Sequence, residues 1–486
     1  MSKQAIYDEE HRMKVTQVSI RPTEAAIEAG APALTPELLA ATGARYSRNN
    51  EGLEDILSKI DPENPDRSVD AIFRMVDYGH QSIADMVPVA MFLDGISQWL
   101  AYYVWSICQA AGGQESSTRY ILMEEDALID ADLLGIAEAD REAWRGEMRA
   151  CLDAYDKALA AWTQLGELKP EATRIPAELL ADDSEKAKKK VARLRRNYAF
   201  DRARYYLPFA LATNVMLVMS ARSWAQLCQH LCSHALPEAQ TLGNQINEQL
   251  ALCAPRLMRH AAHKDSMEAG LQEVFEKLQA GAASGLNAFL SPDAADTAHP
   301  PTAHLDVTPL NGHAETEFVR DLGHHDNRYA WIGDSLKRTA VRFSWEAVTL
   351  AEIRDLNRHR TGNRFCSLRP VGFYSALDEI PGDLENSAEI VECLRDLNAI
   401  GRLATATAHD RLAAGDPTFV YWMPMGAQCL FEHLTTADKF IYEGELRTGV
   451  GAHYRYAKHL SDALALWYEQ FPATRELILE GSAEPE

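Results

Sequence analysis

Apolar positions along most of the chain recur at helical spacing. Residues 68–111 carry apolar side chains three and four positions apart, with breaks at Gly79 and Pro88. The uncharged stretch 205–221, YYLPFALATNVMLVMSA, is seventeen residues long and has a proline and an asparagine inside it. It therefore predicts a buried helix and not a membrane span.

Two short stretches rich in β-branched and aromatic residues predict a modest sheet. They are TAVRFSW at 339–345 and PVGFYS at 370–375. Residues 174–200 predict a charged helix. Its lysines and arginines, at 188–190 and 193–196, are most often a solvated face, and the alternative is that they flank an anion site. Taken together, these patterns predict an α+β fold dominated by helices, in which small antiparallel sheets are packed by helices.

Two stretches in different halves of the chain have the same order of aromatic, proline and apolar residues. Each of residues 205–227 and 420–442 places a proline shortly after aromatic residues and then predicts a long apolar helix. A segment rich in alanine, glycine and proline, residues 280–312, lies between the halves and predicts a linker. We interpret the chain as a divergent internal duplication, with repeats at 1–279 and 313–486.

Composition and charge narrow the class of function. The net charge of −23 over 486 residues argues against general nucleic-acid binding, which needs a basic surface. The charged beginning of the chain is unlike a secretory signal, and no membrane segment is expected. The eight cysteines lack the spacing of a small disulfide scaffold, so we expect reduced thiols and a cytoplasmic location.

One cysteine-rich stretch, LCQHLCSH, invites a metal interpretation. Cys228 and Cys232 share a helix face, and His234 follows them. No second pair of ligands stands out elsewhere, so a helix with buried thiols is the preferred interpretation and no metal site is predicted.

Positive charge is concentrated at residues 357–369, NRHRTGNRFCSLR, where five of thirteen positions are arginine or histidine. Gly362 ends the preceding apolar helix, so Arg358, His359 and Arg360 are expected at a helix end. Cations there suit the helix dipole, which is the structural explanation. Because arginine matches phosphate geometry, an anionic ligand such as a nucleotide is the functional one.

A hydroxyl-rich stretch lies at the matching place in the first half. In AAGGQESSTRY, residues 110–120, two glycines precede a run of hydroxyl side chains. Glycines allow close approach of a ligand, and successive hydroxyl and N–H groups can cradle a phosphate. A polar turn that caps a helix explains these residues equally well.

These motifs resemble those of the flavin-dependent thymidylate synthases, which carry R-H-R-x2-S-x-N-E-x-S-x-R-Y. In the first half, YGHQSIAD, QESSTRY, ARYYLP and SARSWAQ resemble family motifs, but Ile107, Cys108 and Gln109 replace R-H-R and Leu231 replaces a catalytic arginine. In the second half, Arg358-His359-Arg360 and the arginine of GELRTG resemble the family, whereas the other motifs are degraded.

The losses in the two halves are complementary. Active sites of this family are assembled from more than one subunit. The resemblance therefore implies a fused pseudo-dimer, of two thymidylate-synthase-complementing-type repeats, that keeps one composite site. The implied reaction is reductive methylation of dUMP at C5, with methylenetetrahydrofolate and NADPH as co-substrates and FAD as cofactor.

The resemblance also assigns roles to individual residues. Arg447 is the implied catalytic residue, a fixed cation that would stabilise an anionic uracil. The implied substrate-binding residues are Glu115, Ser116, Ser117, Thr118, Arg119, Arg204, Asp355 and Arg358. The implied flavin-binding residues are His80, Ser82, Arg222, Arg358, His359 and Arg360.

Three departures from the family pattern leave alternatives open. Asp355 stands where the family has a glutamine, the loop after R-H-R is one residue short, and a family N-A-R segment is replaced around Thr436, Asp438 and Tyr442. The alternatives are a homologue that modifies another pyrimidine nucleotide and a non-catalytic nucleotide-binding protein.

Because the family enzymes are tetramers, the fused chain is expected to form a homodimer. Size-exclusion chromatography with light scattering should give a mass of about twice the 54.1 kDa of one chain. A monomer in that measurement would contradict the expectation.

Overall fold

A computed structural model describes residues 13–18, 23–30, 32–48, 50, 52–61, 63–77, 82–108, 111–119, 123–256, 260–285, 288–290, 298–309, 314–382, 388–449 and 452–481. The chain divides into two compact units. The first comprises Met1–Leu122, Asp126–Ala137 and Leu211–Glu276, and the second comprises Met123–Glu125, Glu138–Ala210 and Lys277–Glu486. Helices predominate and each unit has one antiparallel sheet, which confirms the predicted α+β class.

The first unit combines four strands with mostly short helices. Its strands are β1 (Lys14–Val18), β2 (Pro88–Ser97), β3 (Gly112–Glu115) and β4 (Ala212–Ser220). Its helices are α1 (Glu24–Glu28), α2 (Pro36–Tyr46), α3 (Leu53–Ser58), α4 (Pro65–Asp77), α5 (Ser82–Asp85), α6 (Gln98–Ile107), α7 (Ala131–Leu134), α11 (Ala221–Cys232) and α12 (Pro237–Cys253).

The second unit contains the longest helices. Its strands are β5 (Ala303–Thr308), β6 (Ala340–Thr349), β7 (Asn363–Cys366), β8 (Gly372–Phe373) and β9 (Ala427–Thr436). Its helices are α8 (Arg141–Leu168), α9 (Ala177–Leu180), α10 (Glu185–Ala203), α14 (Ala314–Asp321), α15 (Asp334–Lys337), α16 (Leu350–Leu356), α17 (Ala388–Ala413), α18 (Ala437–Arg447) and α19 (Tyr454–Gln470). Helix α13 (Asp265–Ala283) begins in the first unit and ends in the second.

The two sheets have the same topology. The strand order is β1-β2-β4-β3 in the first unit and β5-β6-β9-β7 in the second, where β8 also pairs with β9. The second strand of each sheet has an irregular register shortly before its end, between Leu93 and Ile96 in β2 and between Trp345 and Val348 in β6. Each of these strands continues directly into a helix, α6 or α16. This equivalence supports the predicted duplication, whose boundaries stay a prediction.

Aromatic side chains fill the core between helices and sheet in the second unit. Trp467 of α19 is fully buried, and its ring lies 5.5 Å from Phe318 and 5.8 Å from Phe440. Burial of each such side chain stabilises the fold by about 1.5–3 kcal/mol. In the first unit, the Nε1 of Trp224 donates to the carbonyl of Val89 at 3.1 Å and ties α11 to β2.

Three stretches predicted as helices are strands. Residues 88–97 form β2, 212–220 form β4 and 427–436 form β9, and all three are internal strands of their sheets. In β4, burial alternates along the strand, with Val215, Leu217 and Met219 buried. Their neighbours are also mostly apolar, so the sequence hides the period of two and an apolar run resembles a buried helix.

Other predicted elements are confirmed. The stretches 339–345 and 370–375 contribute β6 and β8. Helix α10 forms as predicted, and Lys188, Lys189 and Lys190 are exposed on it. Residues 303–308 of the predicted linker form β5, which pairs with β6. None of the described helices is both long enough and apolar enough to span a bilayer.

A reciprocal contact joins two corresponding turns within the second unit. The N–H of Phe209 donates to the carbonyl of Met423 at 2.9 Å, and the N–H of Met425 donates to the carbonyl of Leu207 at 2.8 Å. The middle residues, Pro208 and Pro424, form an isolated antiparallel bridge. Each turn uses equivalent atoms toward the other, which is the pattern of a two-fold interface between identical subunits.

Two helical glycines of the second unit make a matched test of this packing. A Cβ at Gly401 would collide with the ring of the buried Phe373, whereas a Cβ at Gly146 would meet nothing. We expect Gly401→Ala to lower the free energy of unfolding by about 1–3 kcal/mol. Gly146→Ala should leave it unchanged or raise it by about 0.5–1 kcal/mol. Urea denaturation followed by circular dichroism measures both, and equal effects would contradict the described packing.

Candidate active site around Asp355

Helix α16 carries the cationic motif at its end, and its beginning is tightly capped. The Oγ1 of Thr349 accepts from the N–H of Glu352 at 3.4 Å, and the N–H of Thr349 donates to the Glu352 carboxylate at 3.3 Å. This reciprocal capping box stabilises a helix of only seven residues. The helix ends at Leu356, and the positive φ of Gly362 follows, so the predicted position of R-H-R at a helix end is confirmed.

The Glu352 carboxylate also links α16 to two distant segments. Its Oε1 accepts from the hydroxyl of Tyr205 at 2.9 Å, and its Oε2 lies 3.2 Å from the Nε2 of His459. Burial by itself raises the pKa of Glu352, but the hydrogen bond and charge of His459 outweigh it and lower the pKa to about 2. Glu352 is therefore a buried, fully partnered anion.

Arg204 lies beside Tyr205 and turns toward α16. Its Nη2 donates to the carbonyl of Ala351 at 3.0 Å and lies 3.6 Å from the Oδ2 of Asp355. The residue is buried, with 5% of its surface exposed. Arg204 and α16 are far apart in the sequence, and the bonds of Tyr205 and Arg204 place them together.

Asp355 is the centre of a cluster of arginines. Its Oδ1 is paired with Arg358, and its Oδ2 faces Arg204. Burial raises the pKa of Asp355, but attraction by Arg358, Arg204, Arg447 and Arg354, in that order, outweighs it and holds the pKa far below its usual value. Three residues predicted for the site, Arg204, Arg358 and Arg447, therefore act on one carboxylate, which was itself predicted.

Arg447 is held by a histidine of the same motif. The Nε of Arg447 donates to the Nε2 of His359 at 2.7 Å. Burial is the largest cause that lowers the pKa of His359 to about 4. Attraction to Glu443 opposes it, and repulsion from Arg447 adds to it. The imidazole is therefore neutral near pH 7 and can accept this bond. The guanidinium also lies 5.5 Å from the centre of the Tyr456 ring.

A carboxylate balances this end of the cluster. The Oε1 of Glu443 lies 3.9 Å from His359, and its Oε2 lies 3.2 Å from His433. Burial raises the pKa of Glu443, but His359 and His433 outweigh it and lower the pKa. The cations of the cluster are thus held between two ionised carboxylates, Asp355 and Glu443.

The loop after R-H-R is fixed by its backbone. A Cβ at Gly362 would collide with the carbonyl of Leu434, and its φ of 71° also favours glycine. Arg364 donates to the carbonyl of Asn357, and Arg369 donates to the carbonyl of Gly281 at 2.8 Å. These two arginines hold the loop in place. Arg360 is half-buried.

The hydroxyl-rich motif belongs to the first unit. It follows β3, where the N–H of Ser116 donates to the carbonyl of Asn214 at 2.9 Å and the N–H of Arg119 donates to the Oγ of Ser117 at 3.3 Å. Glu115 and Thr118 are buried, and Ser117 is exposed. The five predicted substrate-binding residues of this motif thus lie on one strand end and its turn.

The predicted flavin-binding residues of the first unit are partly described. Ser82 is the first residue of α5, and it is exposed. Arg222 on α11 pairs with Asp85, the last residue of α5, at 2.9 Å. His80 lies outside the described residues. This ion pair places SIAD, the described part of the motif YGHQSIAD, next to the motif SARSWAQ.

Residues of the cluster that the sequence interpretation missed are Tyr205, Glu352, Arg354 and Glu443. One had a local signal, because T-L-A-E at 349–352 has the spacing of a capping box. Tyr205 and Glu443 have no local signal, since their partners are distant in sequence. Cys228 is buried, and its thiol is within hydrogen-bonding distance of the carbonyl of Gly243. No metal-binding group of three or more ligands occurs in the described part of the chain.

A family model described as thymidylate synthase complementing protein matches residues 33–256. Over these residues the chain is similar to the thymidylate synthase complementing proteins. This confirms the predicted resemblance. The matched thymidylate synthase complementing region contains Ser82, Glu115–Arg119, Arg204 and Arg222, and it does not include the cluster residues of the second half.

Two curated relatives and one solved structure are also similar. UPF0159 protein Ta1429 of Thermoplasma acidophilum is 25% identical over 460 residues, 85% of this chain and 88% of that protein. A flavin-dependent thymidylate synthase of Clostridium tetani is 23% identical over 227 residues, 46% of this chain and 82% of that enzyme. A UMP/dUMP methylase from Streptomyces cacaoi, solved with 5-Br dUMP, covers 52% of this chain and 95% of its own at 14% identity and a TM-score of 0.31, which is too low to carry an argument.

The low histidine pKa values in the second unit predict a pH dependence. Burial lowers the pKa of both His359 and His453 to about 4, so between about pH 6.5 and 4 the unfolded chain binds protons that the folded chain does not. The free energy of unfolding should therefore fall as pH decreases through this window, by up to about 1.4 kcal/mol per pH unit per histidine.

Urea denaturation at several pH values measures this slope. His359→Gln keeps an acceptor for Arg447 but removes the titrating group, so the slope should become shallower. The matched control, His304→Gln, changes an exposed histidine and should leave the slope as in the wild type. A wild-type slope in His359→Gln would contradict the assignment.

Proposed function

We propose that the chain is a flavin-dependent, thymidylate synthase-like enzyme that methylates a pyrimidine nucleotide at C5, with dUMP as the first substrate to test. Methylenetetrahydrofolate would supply the carbon and NADPH the reducing equivalents. The observation that carries this proposal is the meeting of Arg204 with Arg358 and Arg447 at Asp355. Arg204, the arginine implied to bind phosphate, lies in the half that the family model matches. It is close to Arg358 of R-H-R, and Arg447 of the second half acts on the same carboxylate.

The reciprocal contact of the two proline turns supports a fused pseudo-dimer. Phe209 and Met425 donate to Met423 and Leu207 in the pattern of an isologous interface. At the position that corresponds to Arg204, the second half has Val420, which is buried. At the position that corresponds to Arg447, the first half has Leu231, also buried. One set of arginines would then serve a single composite site.

Arg447 is suited to act on the pyrimidine ring. Its Nε is occupied by His359, which orients the planar guanidinium, and arginine stays protonated at physiological pH. A preorganised cation beside the ring stabilises the negative charge that develops when C5 becomes nucleophilic. His359 is neutral, so it orients Arg447 without cancelling that charge.

Arg204 and Arg358 of the second unit are suited to bind the phosphate. A guanidinium donates two parallel hydrogen bonds to phosphate oxygens. Arg204 is buried and bonded through its Nη2, so it would bind with little loss of side-chain freedom. Phosphate binding in this way would position the pyrimidine ring relative to Arg447.

The proposed flavin residues fit FAD by their chemistry. In the first unit, Arg222 and the Ser82 hydroxyl carry donor groups of the kind that bind an anionic diphosphate. In the second unit, Arg360 carries such donors as well, and the neutral His359 has a ring nitrogen suited to a heteroaromatic group. When bound, FAD would supply the hydride that completes the methyl group. The protein residues would bind and orient the nucleotide and limit the access of water.

The cytoplasm is the proposed location, and a homodimer of fused pseudo-dimers is the proposed assembly. A homologue that modifies another pyrimidine nucleotide is the second candidate, favoured by the aspartate at position 355. Purified protein with flavin absorbance separates both enzymes from a non-catalytic binding protein.

The variant Arg447→Gln tests the proposed catalytic role. Tritium release from C5-labelled dUMP, in the presence of methylenetetrahydrofolate, NADPH and FAD, should fall by about 10²–10³-fold, because one preorganised cation is lost. Flavin absorbance and the urea midpoint should stay near the wild-type values.

Arg342→Gln is the matched control, since Arg342 forms an exposed ion pair with Glu432 on the sheet of the same unit. It should retain wild-type activity. The proposed function fails if the wild-type protein binds no flavin and releases no tritium, and the role of Arg447 fails if its variant keeps most of the activity.

A further inference from the structure

The carboxylate of Asp355 already occupies the arginines that a phosphate would need. One oxygen is paired with Arg358, and the other lies 3.6 Å from Arg204. This pairing of one anion with two guanidiniums is the arrangement that a phosphate monoester would require. Asp355 therefore stands in the cluster as an internal anion.

The carboxylate is ionised throughout the pH range in which the protein would be studied. Burial opposes its charge, but four arginines outweigh burial, with Arg358 and Arg204 first, and the pKa of Asp355 stays far below its usual value. Protonation therefore does not remove this negative charge when a ligand enters. A phosphate would meet the ionised form.

Asp355 cannot easily leave the cluster. It lies in α16, whose beginning is held by the capping box and by Glu352, and 17% of its side chain is exposed. Arg358 follows three residues later at the end of the same helix, so both side chains depend on one rigid element. A phosphate would have to separate Arg358 from Asp355 and then lie next to the carboxylate.

We propose that Asp355 is a specificity-determining residue that serves as an internal counter-ion for Arg204 and Arg358 and weakens binding of the 5′-phosphate of a pyrimidine nucleotide. Compared with an equivalent site without the carboxylate, the arginine cluster then favours a pyrimidine ligand of lower negative charge, such as the nucleoside. This inference rests on the proposed function, because it takes the arginine cluster as the nucleotide site.

Isothermal titration calorimetry with dUMP and with deoxyuridine tests the inference on the flavin-loaded full chain. Asp355→Asn removes the charge at nearly constant shape, so the affinity for dUMP should rise at least tenfold while that for deoxyuridine changes less than twofold. Asp355→Glu retains the charge and should keep the wild-type ratio of the two affinities. The gain in Asp355→Asn should shrink as salt concentration increases.

Asp378→Asn is the matched control, because Asp378 pairs with a buried arginine of the same unit, Arg455, at 3.0 Å. It should leave the ratio of affinities unchanged. Thermal unfolding of each variant confirms that it is folded.

The outcomes separate this inference from the proposed function. Suppose that the wild type binds dUMP. If Asp355→Asn then has the same ratio of affinities as the wild type, or binds dUMP more weakly, only the role of Asp355 is overturned. Absence of dUMP and deoxyuridine binding in every variant, together with absence of flavin absorbance, overturns both.

Discussion

The arrangement of the arginine cluster depends on the buried carboxylate of Glu352. An ionised carboxylate without solvent is strongly destabilising unless its oxygens are paired. Tyr205, His459 and the N–H of Thr349 supply those pairs, and each comes from a different part of the second unit or from the helix cap itself. One charge thus holds the beginning of α16, the turn that carries Arg204 and the helix α19 in one geometry.

Two carboxylates stabilise the positive charges of the arginine cluster. Arginines that converge repel one another, and Asp355 and Glu443 offset this repulsion at short range. The neutral His359 between Arg447 and Glu443 adds a hydrogen bond without adding a charge. Because the net charge is −23, the field of the whole protein would not attract an anion, so recognition must come from contacts inside the cluster.

Local signals were sufficient for some elements and for part of the site. Gly362 and the apolar stripe before it predicted that R-H-R would lie at a helix end, and β-branched residues predicted β6. The predicted helices over β2, β4 and β9 were wrong because β2 and β4 are mostly apolar on both faces, and because apolar and polar residues do not alternate regularly in β9. Whether such a run is extended or helical depends on neighbouring strands that pair with it, and those neighbours are distant in sequence.

Residue types and spacing were therefore enough for the α+β class, for the resemblance to the thymidylate synthase complementing proteins and for most of the arginines and histidines that form the cluster. Folding alone decided that Arg204 lies against α16 and that Asp355, not solvent, is the partner of Arg204 and Arg358. The physical reason is that the contacts of Arg204 and Tyr205 with α16 join residues 147 positions apart. Their energy depends on burial and on mutual distance, and neither is a property of any short stretch of the chain.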